Sequence, residues 1–170
     1  MVPQPARAIR LAKRADLPRV VEIYNAAIPG RLATADTEPV TVAMREAWFR
    51  EFDPTRRPLW VCADDAETAT GWLSLRSFYG RPAYAGTVEV AVYVAPECQR
   101  RGIARALLQH ALGAAPALAV QTLLAFVFAH NGPSLALFRD HGFVSWGLLP
   151  RVALLDGVER DLAILGRGAR

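Results

Sequence analysis

One continuous stretch, from Thr87 to Leu112, constrains the fold of this 170-residue chain more than any other. It begins with the apolar run TVEVAVYV, which is rich in β-branched residues and typical of a strand buried on both faces. After a loop containing Gly102, apolar residues recur at helical spacing, so RALLQHAL is predicted to form an amphipathic helix. Such a loop presents the unpaired N–H groups of a helix N-terminus to an anion. Because Arg100 and Arg101 add positive charge, the loop is predicted to hold a phosphate or pyrophosphate.

The same loop carries a family signature. Residues 99–104 (QRRGIA) resemble the Q/R-x-x-G-x-G/A motif of the GNAT superfamily of acetyl-CoA-dependent N-acetyltransferases, and they stand between a strand and a helix as that motif does. The segments IYNAAI, TVEVAVYV and NGPSLALFRDHGF extend the resemblance over nearly the whole chain, to the phosphinothricin and methionine-sulfoximine acetyltransferase branch. The resemblance implies an α/β fold with a mixed sheet of about seven strands and four helices. Its two central parallel strands would splay apart in a V that receives the pantetheine arm of acetyl-CoA.

Length and composition fit a single domain over residues 1–170, with residues 1–6 expected to be a flexible tail. An apolar fraction of 52% and a charged fraction of 21% are typical of soluble globular proteins. No apolar run approaches the roughly 20 residues needed to span a bilayer, and the first ten residues lack the apolar segment of a signal peptide. Two cysteines do not make a disulfide framework. We therefore expect a cytoplasmic protein without a membrane partner.

Charge and histidine patterns exclude two other classes of partner. The net charge is +4, but the arginines are scattered and not interleaved with aromatic residues, so nucleic-acid binding is not expected. A diffuse positive field would still attract an anionic cofactor. The three histidines have no ligand spacing among themselves or with the cysteines, so no metal site is expected.

Hydrophobic periodicity and turn residues predict the remaining elements. The predicted strands are residues 8–12, 59–63, 71–77, 122–129, 144–153 and 158–165, in addition to the central strand. The predicted helices are a first one capped by Asp16 and ending before Pro29, and further ones at 41–52, 103–112 and 135–141. A helix crosses between the central strand and residues 122–129, so these two strands should be parallel.

Glu89 is the candidate catalytic residue. Only a neutral amine attacks a thioester, so N-acetylation needs a group that receives the amine proton. A carboxylate inside TVEVAVYV is costly to bury, and partial burial would raise its pKa toward the useful range. The alternative is a strand-end glutamate paired with an arginine. The resemblance implies the catalytic role, because the branch has a glutamate at the same place in this strand.

Cofactor contacts follow from the resemblance. A backbone N–H near Val92, Tyr93 or Val94 would serve the thioester oxygen, whose charge develops during attack. The remaining residues that would hold the cofactor are Gln99, Arg100, Arg101, Gly102, Ile103, Ala104, Arg105, Asn131 and Ser134. Asn131 has the alternative, compatible role of capping the helix that follows it. Phe138 stands where many family members carry a tyrosine that protonates the thiolate, so the general acid is left open, with Tyr93 either a substitute or a core residue.

Two loops, residues 28–39 and 78–86, are predicted to face the acceptor. A guanidinium binds a carboxylate bidentately, which makes an arginine the expected partner of an acceptor carboxylate. The candidates are Arg81 first, then Arg76 and Arg31, with Thr34 and Tyr79 as further polar contacts. For each loop residue the alternative is an ordinary solvated side chain.

The predicted function is transfer of acetyl from acetyl-CoA to the primary amine of a small amino-acid-like acceptor. By resemblance, that acceptor is phosphinothricin, methionine sulfoximine or methionine sulfone. The alternatives are acetylation of a polyamine, an aminoglycoside or a protein N-terminus, or a CoA-binding sensor without turnover. The resemblance also implies a homodimer.

Overall fold

A computed structural model describes residues 8–169, so the predicted tail at residues 1–6 lies outside the described part of the chain. The strands are β1 (Ala8–Leu11), β2 (Leu59–Ala63), β3 (Ala69–Ser77), β4 (Thr87–Val94), β5 (Thr122–Phe128), β6 (Val144–Leu155) and β7 (Val158–Gly168). The helices are α1 (Leu17–Ala26), α2 (Val42–Arg50), α3 (Ile103–Ala114) and α4 (Gly132–Asp140). The strands form one mixed sheet in the order β1-β2-β3-β4-β5-β7-β6, which confirms the predicted fold class.

The V between the central strands is confirmed by their register. β4 pairs with β5 in parallel over three residues, the last pair being Glu89 with Leu124. β3 instead follows β4 along its length in antiparallel pairing, from Ser77 with Val88 to Gly71 with Val94. β4 therefore keeps one neighbour throughout and separates from the other just beyond Glu89.

Helices cover both faces of the sheet. Alternate residues of β3 point to opposite faces, so Trp72 and Leu73 face different helix layers. The indole N–H of Trp72 donates to the Val20 carbonyl at 3.1 Å, which places α1 on that face. A side chain added at Gly71 would meet Ile103 at 2.9 Å, which places α3 on the other face. None of the helices within residues 8–169 is long and apolar enough to cross a bilayer.

Asp16 precedes α1 as predicted, but its side chain does not cap that helix. The carboxylate accepts hydrogen bonds from Arg10 Nη1 at 2.7 Å and from the Lys13 backbone N–H at 2.7 Å. Burial would raise the pKa of Asp16, but the hydrogen bonds from Arg10 and Lys13 prevail and lower it below its ordinary value. Asp16 therefore links β1 to the start of α1 through these hydrogen bonds.

The remaining differences from the predicted elements are at their ends. α4 begins directly after Asn131, whose side chain accepts from the Ser134 N–H, so it starts three residues earlier than predicted. The β6–β7 hairpin is longer than predicted and turns at Asp156 and Gly157, both with positive φ as a two-residue hairpin turn requires. Cys62 and Cys98 are buried and carry free thiols.

Candidate active site

A first cavity, of about 190 Å³, lies between the sheet and the two helices α1 and α2. Its floor consists of side chains that alternate along β3 and β4 and therefore share one face of the sheet. They are Trp72, Ser74 and Arg76 from β3, paired with Tyr93, Ala91 and Glu89 from β4. Tyr24, Arg45 and Trp48 from the helices complete the lining, and we call this space the aromatic cavity.

Aromatic contacts hold the walls of this cavity together. Tyr93 stacks on Trp72 with ring centroids 4.6 Å apart, and Tyr24 meets Tyr93 edge-on at 5.2 Å. The guanidinium of Arg45 lies over the Tyr24 ring, 4.6 Å from its centroid. Aromatic pairs and cation–π contacts of this kind fix ring orientation as well as adding stability. The cavity therefore has apolar walls with charged groups at defined positions.

A second cavity, of about 370 Å³, occupies the gap where β4 and β5 separate, and we call it the splayed cleft. Its lining combines β4 residues 89–93, β5 residues 126–128, loop residues 32–35 and the start of α4. Asn131, Ser134 and Phe138 contribute from α4 and its cap. Glu89 lines both this cleft and the aromatic cavity, so the two spaces meet at its half-buried carboxylate.

The backbone of β4 presents hydrogen-bonding groups to the splayed cleft. The Phe78 N–H donates to the Thr87 carbonyl, and the Ala95 N–H donates to the Thr70 carbonyl, so odd-numbered β4 residues direct their groups toward β3. Backbone groups alternate in direction along a strand. Those of Val92 and Val94 consequently point toward β5, beyond the last β4–β5 pair. Of the three residues predicted to supply an N–H to the thioester oxygen, Val92 and Val94 thus direct theirs toward the cleft, whereas Tyr93 directs its own toward β3.

The glycine loop has the shape of an anion cradle. Gly102 is the N-cap of α3 with φ 78° and ψ 10°, and Arg100 is also left-handed with φ 59°. Alternation of this kind turns successive N–H groups toward one point. Gly102 has no side chain to cap α3, so the helix N-terminus is open to an anion. Exposed side chains of Gln99, Arg101 and Arg105 surround it.

Gly71 sets the position of this cradle. A Cβ at Gly71 would lie 2.9 Å from Ile103 Cγ2 and 2.9 Å from the Tyr93 carbonyl oxygen. Ile103 is the buried first residue of α3, and Ala104 beside it is half-buried. The absence of a side chain at Gly71 thus lets the N-terminus of α3 approach the sheet closely. The cradle and the β4 backbone together fit an elongated cofactor with a pyrophosphate and an amide-containing arm.

Residues 31–33 are held beside the splayed cleft through hydrogen bonds to their backbone carbonyl groups. The Arg31 oxygen is 2.8 Å from His130 Nε2, Asn131 Nδ2 donates to the Leu32 oxygen at 3.0 Å, and the Tyr93 hydroxyl donates to the Ala33 oxygen at 2.9 Å. Burial raises the pKa of Tyr93, which keeps its hydroxyl protonated. Asn131 thus caps α4 and also anchors this loop.

The next residues of the loop connect to the aromatic cavity. The Tyr24 hydroxyl donates to the Asp36 carboxylate and contacts the Thr34 hydroxyl. Burial, and after it the hydrogen bond to Asp36, raises the pKa of Tyr24. Asp36 also pairs with Arg45 at 3.2 Å. Thr34 lines the splayed cleft, so this network links its wall to that of the aromatic cavity.

The three predicted arginines lie in different places. Arg76 lines the aromatic cavity directly across the strand pair from Glu89. Arg31 forms a bidentate pair with Asp156, at 2.8 and 3.0 Å, and also donates to the Thr37 carbonyl. Arg81 lines a separate cavity next to Arg57. The structure therefore brings Arg76 alone of the three to the cavity that contains Glu89.

Tyr79 lies on the same loop as Arg81 and is 78% exposed, with φ 54°. Its neighbour Phe78 contacts the ring of Phe126, which lines the splayed cleft, with centroids 6.5 Å apart. The loop is thus adjacent to the cleft, while its Arg81 lines the separate cavity beside Arg57. Neither Tyr24 nor Arg45 was singled out as a site residue from the sequence. Both belong to predicted amphipathic helices, and Tyr24 also lies in the segment IYNAAI that carries the family resemblance.

Phe138 is buried and lines the splayed cleft, so no hydroxyl is supplied from this position. Within residues 8–169, no group of three or more histidine, cysteine, aspartate or glutamate side chains is arranged to hold a metal ion.

A splayed central strand pair, a left-handed glycine at a helix N-terminus and a carboxylate between two cavities define an acyl-CoA N-acyltransferase architecture. The profile of the acetyltransferase (GNAT) family matches residues 17–143, and the chain belongs to this family. It is therefore an enzyme of the acetyltransferase class.

Three comparisons indicate the branch. YwnH of Bacillus subtilis, whose name carries a provisional assignment as a phosphinothricin acetyltransferase, is 49% identical over 159 residues, covering 94% of this chain and 97% of its own. The L-methionine sulfoximine/L-methionine sulfone acetyltransferase of Pseudomonas aeruginosa is 32% identical over 93% of this chain and 92% of its own. The crystal structure of a phosphinothricin acetyltransferase from Sinorhizobium meliloti in complex with acetyl-CoA is 29% identical with a TM-score of 0.89, covering 95% and 88% of the two chains.

Proposed function

We propose that this protein transfers acetyl from acetyl-CoA to the primary amine of a small amino-acid-like acceptor, with Glu89 as general base. One observation carries the proposal: Glu89 lines both the aromatic cavity and the splayed cleft. An acceptor in the first space and an acetyl group in the second would meet at this carboxylate. The named activities of the Pseudomonas and Sinorhizobium relatives support methionine sulfoximine, methionine sulfone or phosphinothricin as acceptors.

The cofactor contacts come from backbone more than from side chains. Acetyl-CoA, when bound, supplies an acetyl group activated as a thioester. The N–H groups around Gly102 at the start of α3 would hold its pyrophosphate, with Arg100 and Arg101 adding charge. The N–H groups of Val92 and Val94 would donate to the pantetheine arm and to the thioester oxygen. Donors that are fixed in a strand need no reorganisation as charge develops on that oxygen.

As the proposed general base, Glu89 would take a proton from the acceptor ammonium or amine. No ion pair within 4.0 Å is formed by Glu89 within residues 8–169, so its carboxylate is available to an amine. The proton would leave the amine nitrogen for Glu89 as that nitrogen bonds to the acetyl carbon. The carbon–sulfur bond would then break and release CoA as its thiolate.

Arg76 is the proposed partner of the acceptor carboxylate. It lines the aromatic cavity together with Glu89. Its Nη2 lies 3.3 Å from Oε2 of Glu51, whose side chain is exposed. A contact of that length between exposed groups is weak and easily exchanged for a ligand. The donors of Arg31 are already engaged by Asp156 and by backbone carbonyls. Arg81 remains the alternative, because its loop adjoins the splayed cleft.

A homodimer is proposed from the exposed apolar residues of the β6–β7 hairpin. They are Val144, Trp146, Leu148, Leu149, Val152, Leu154 and Val158. β6 is an edge strand of the sheet, and an edge with exposed apolar side chains is normally covered by a partner. The Trp146 ring lies against Gly166, where a Cβ would be only 2.1 Å from it, so the ring is held in place while 53% exposed. Sedimentation of Trp146→Ser should therefore show monomer where the native protein sediments as a dimer.

The free thiols of Cys62 and Cys98 fit the reducing cytoplasm as the site of action.

A panel of amines tests the activity. CoA-thiol release should be measured with methionine sulfone, methionine sulfoximine, phosphinothricin, their carboxamide analogues, a polyamine and an aminoglycoside. Release is expected with the free amino acids and much less with their carboxamides. A protein that binds acetyl-CoA but releases no CoA with any amine would be a sensor, which would contradict the proposal.

A further inference from the structure

A third cavity, of about 360 Å³, lies where residues 53–57 meet loop 78–86. Three guanidinium groups, those of Arg56, Arg57 and Arg81, line it together with the single carboxylate of Asp53. Ser77, the last residue of β3, also lines it and directly follows Arg76. Because alternate β3 residues point to opposite faces, the Ser77 side chain lies on the face opposite Arg76, and this cavity is separate from the aromatic cavity. Its lining is strongly cationic.

Arg57 is the most buried of the three arginines that line this cavity, with 9% of its surface exposed. Its Nε donates to Ser77 Oγ at 2.8 Å, Nη1 to the Arg56 carbonyl at 2.8 Å and Nη2 to the Ala85 carbonyl at 2.7 Å. All three acceptors are neutral, and no carboxylate of residues 8–169 lies within 4.0 Å of this guanidinium. Three bonds leave two of its five N–H donors for another partner. A buried cation without a counter-ion is costly, and burial lowers the pKa of Arg57, with repulsion from Arg56 as a smaller cause.

Asp53 does not provide the missing counter-ion. Its Oδ1 accepts from the Thr55 N–H at 2.8 Å and from the Thr55 hydroxyl at 2.7 Å, as a turn-forming aspartate does. These bonds lower the pKa of Asp53, so it is ionised, but its distance from each arginine exceeds that of an ion pair. Within the described residues, Arg56 and Arg81 form no ion pair either. Positive charge therefore exceeds negative charge throughout the cavity.

We propose that this cavity binds a small oxyanion, of the carboxylate, phosphate or phosphonate class, between Arg57 and the rim residues Arg56 and Arg81. An oxyanion would accept from the free N–H groups of Arg57 and supply the charge that the protein lacks there. Exposed Arg56 and Arg81 can close on it from the solvent side. Two sources fit this chemistry: a second anionic group of the acceptor, or a free anion such as inorganic phosphate.

Inorganic phosphate is the probe, and the amide resonances of Ser77 and Ala85 are the readout. The titration is made with CoA at saturation, which fills the glycine loop and removes that competing anion site. We expect saturable shifts at both amides, and about tenfold weaker binding in Arg57→Met, where a long apolar side chain replaces the cation. The matched control is Arg139→Ala, an exposed arginine outside the cavity, which should bind phosphate as the native protein does.

If Arg57→Met does not fold, a double variant that combines Arg56→Ala with Arg81→Ala, both at exposed positions, provides the test. The double variant should weaken phosphate binding severalfold. Absence of saturable shifts in the native protein, or undiminished shifts in the folded double variant, would overturn the proposal. Because the phosphate titration needs no turnover, its result tests the anion site independently of the proposed function.

Kinetics distinguish the two sources. If the site serves the acceptor, phosphate should raise KM for amino acids with an acidic side chain and leave KM for those with a neutral side chain unchanged. If the site holds a free anion, phosphate should shift the two amides without changing either KM. Both results require the binding that the titration measures.

Discussion

Glu89 and Arg76 are direct partners across β3 and β4, yet they do not form an ion pair. Arg76 Nη2 instead lies 3.3 Å from Glu51 Oε2. Opposite charges on paired residues usually attract each other across a strand pair. Here both groups line the aromatic cavity, where we propose that Glu89 receives the amine and Arg76 the carboxylate of the acceptor. An α-amino acid carries both of these groups on one carbon atom.

Glu89→Gln should lower kcat by about 10²- to 10⁴-fold, the usual contribution of a general base. The amide keeps the size of the side chain, so acetyl-CoA affinity and the melting temperature should be unchanged. Since the neutral amine becomes more abundant as pH rises, the variant should recover part of its rate relative to the native enzyme at high pH. Native turnover at neutral pH would remove the base assignment.

Gly102→Glu should abolish acetyl-CoA binding in calorimetry. The new side chain must adopt φ 78° and adds a negative charge where the pyrophosphate would lie. Gly113→Glu is the matched control, because this exposed glycine of α3 has open space around its Cβ position. Equal affinity of the two folded variants would show that the cradle lies elsewhere.

Gly71→Ala should destabilise the protein by about 1–3 kcal/mol, as overpacking of a close contact does. The added methyl group would press on Ile103 and on the Tyr93 carbonyl oxygen, each 2.9 Å away. Because Ile103 begins α3, acetyl-CoA affinity should fall as well. Gly113→Ala, in open space on the same helix, should leave affinity unchanged and slightly raise the midpoint of urea unfolding. Unaltered affinity in Gly71→Ala would separate the packing of α3 from cofactor binding.

Asp16→Asn should cost about 1–3 kcal/mol of unfolding free energy at pH 7, because a buried carboxylate bonded to Arg10 is lost. The folded-state pKa of Asp16 is below its ordinary value, so its stabilisation is complete above that ordinary value. It disappears as pH falls through the folded-state pKa, where the native protein and the variant should converge. Asp65→Asn, an exposed aspartate, is the control in urea unfolding at several pH values. A difference that is independent of pH would attribute the loss to shape alone.

Arg76→Ala should raise KM about tenfold or more for amino-acid acceptors and leave KM for their carboxamides nearly unchanged, since a charge-assisted bidentate bond is lost. Arg81→Ala should raise KM for amino-acid acceptors by a smaller factor than Arg76→Ala does. A larger effect at Arg81 would assign the carboxylate to loop 78–86, and equal losses on acids and carboxamides would argue against either arginine.

The sequence was most informative where local chemistry determines structure. The β-branched residues of TVEVAVYV predict the central strand, and the conformational freedom of Gly102 predicts the start of α3. The V between the central strands was expected from the family resemblance alone. Long-range pairing could not be predicted: Arg31 meets Asp156, 125 residues away, and no local pattern indicates this contact. Arg57 likewise appears as one of many arginines in the sequence, and only the fold buries it.

The carbonyl groups of Arg31, Leu32 and Ala33 accept the hydrogen bonds that hold this loop beside the splayed cleft. Every amino acid has such a carbonyl, so the anchoring does not depend on which side chains the loop carries. Leu32 and Ala33 nevertheless present their side chains to the splayed cleft. The loop can therefore diverge in sequence at these two positions while keeping its course, which allows evolution or directed mutagenesis to reshape the space beside Glu89 without rebuilding the scaffold.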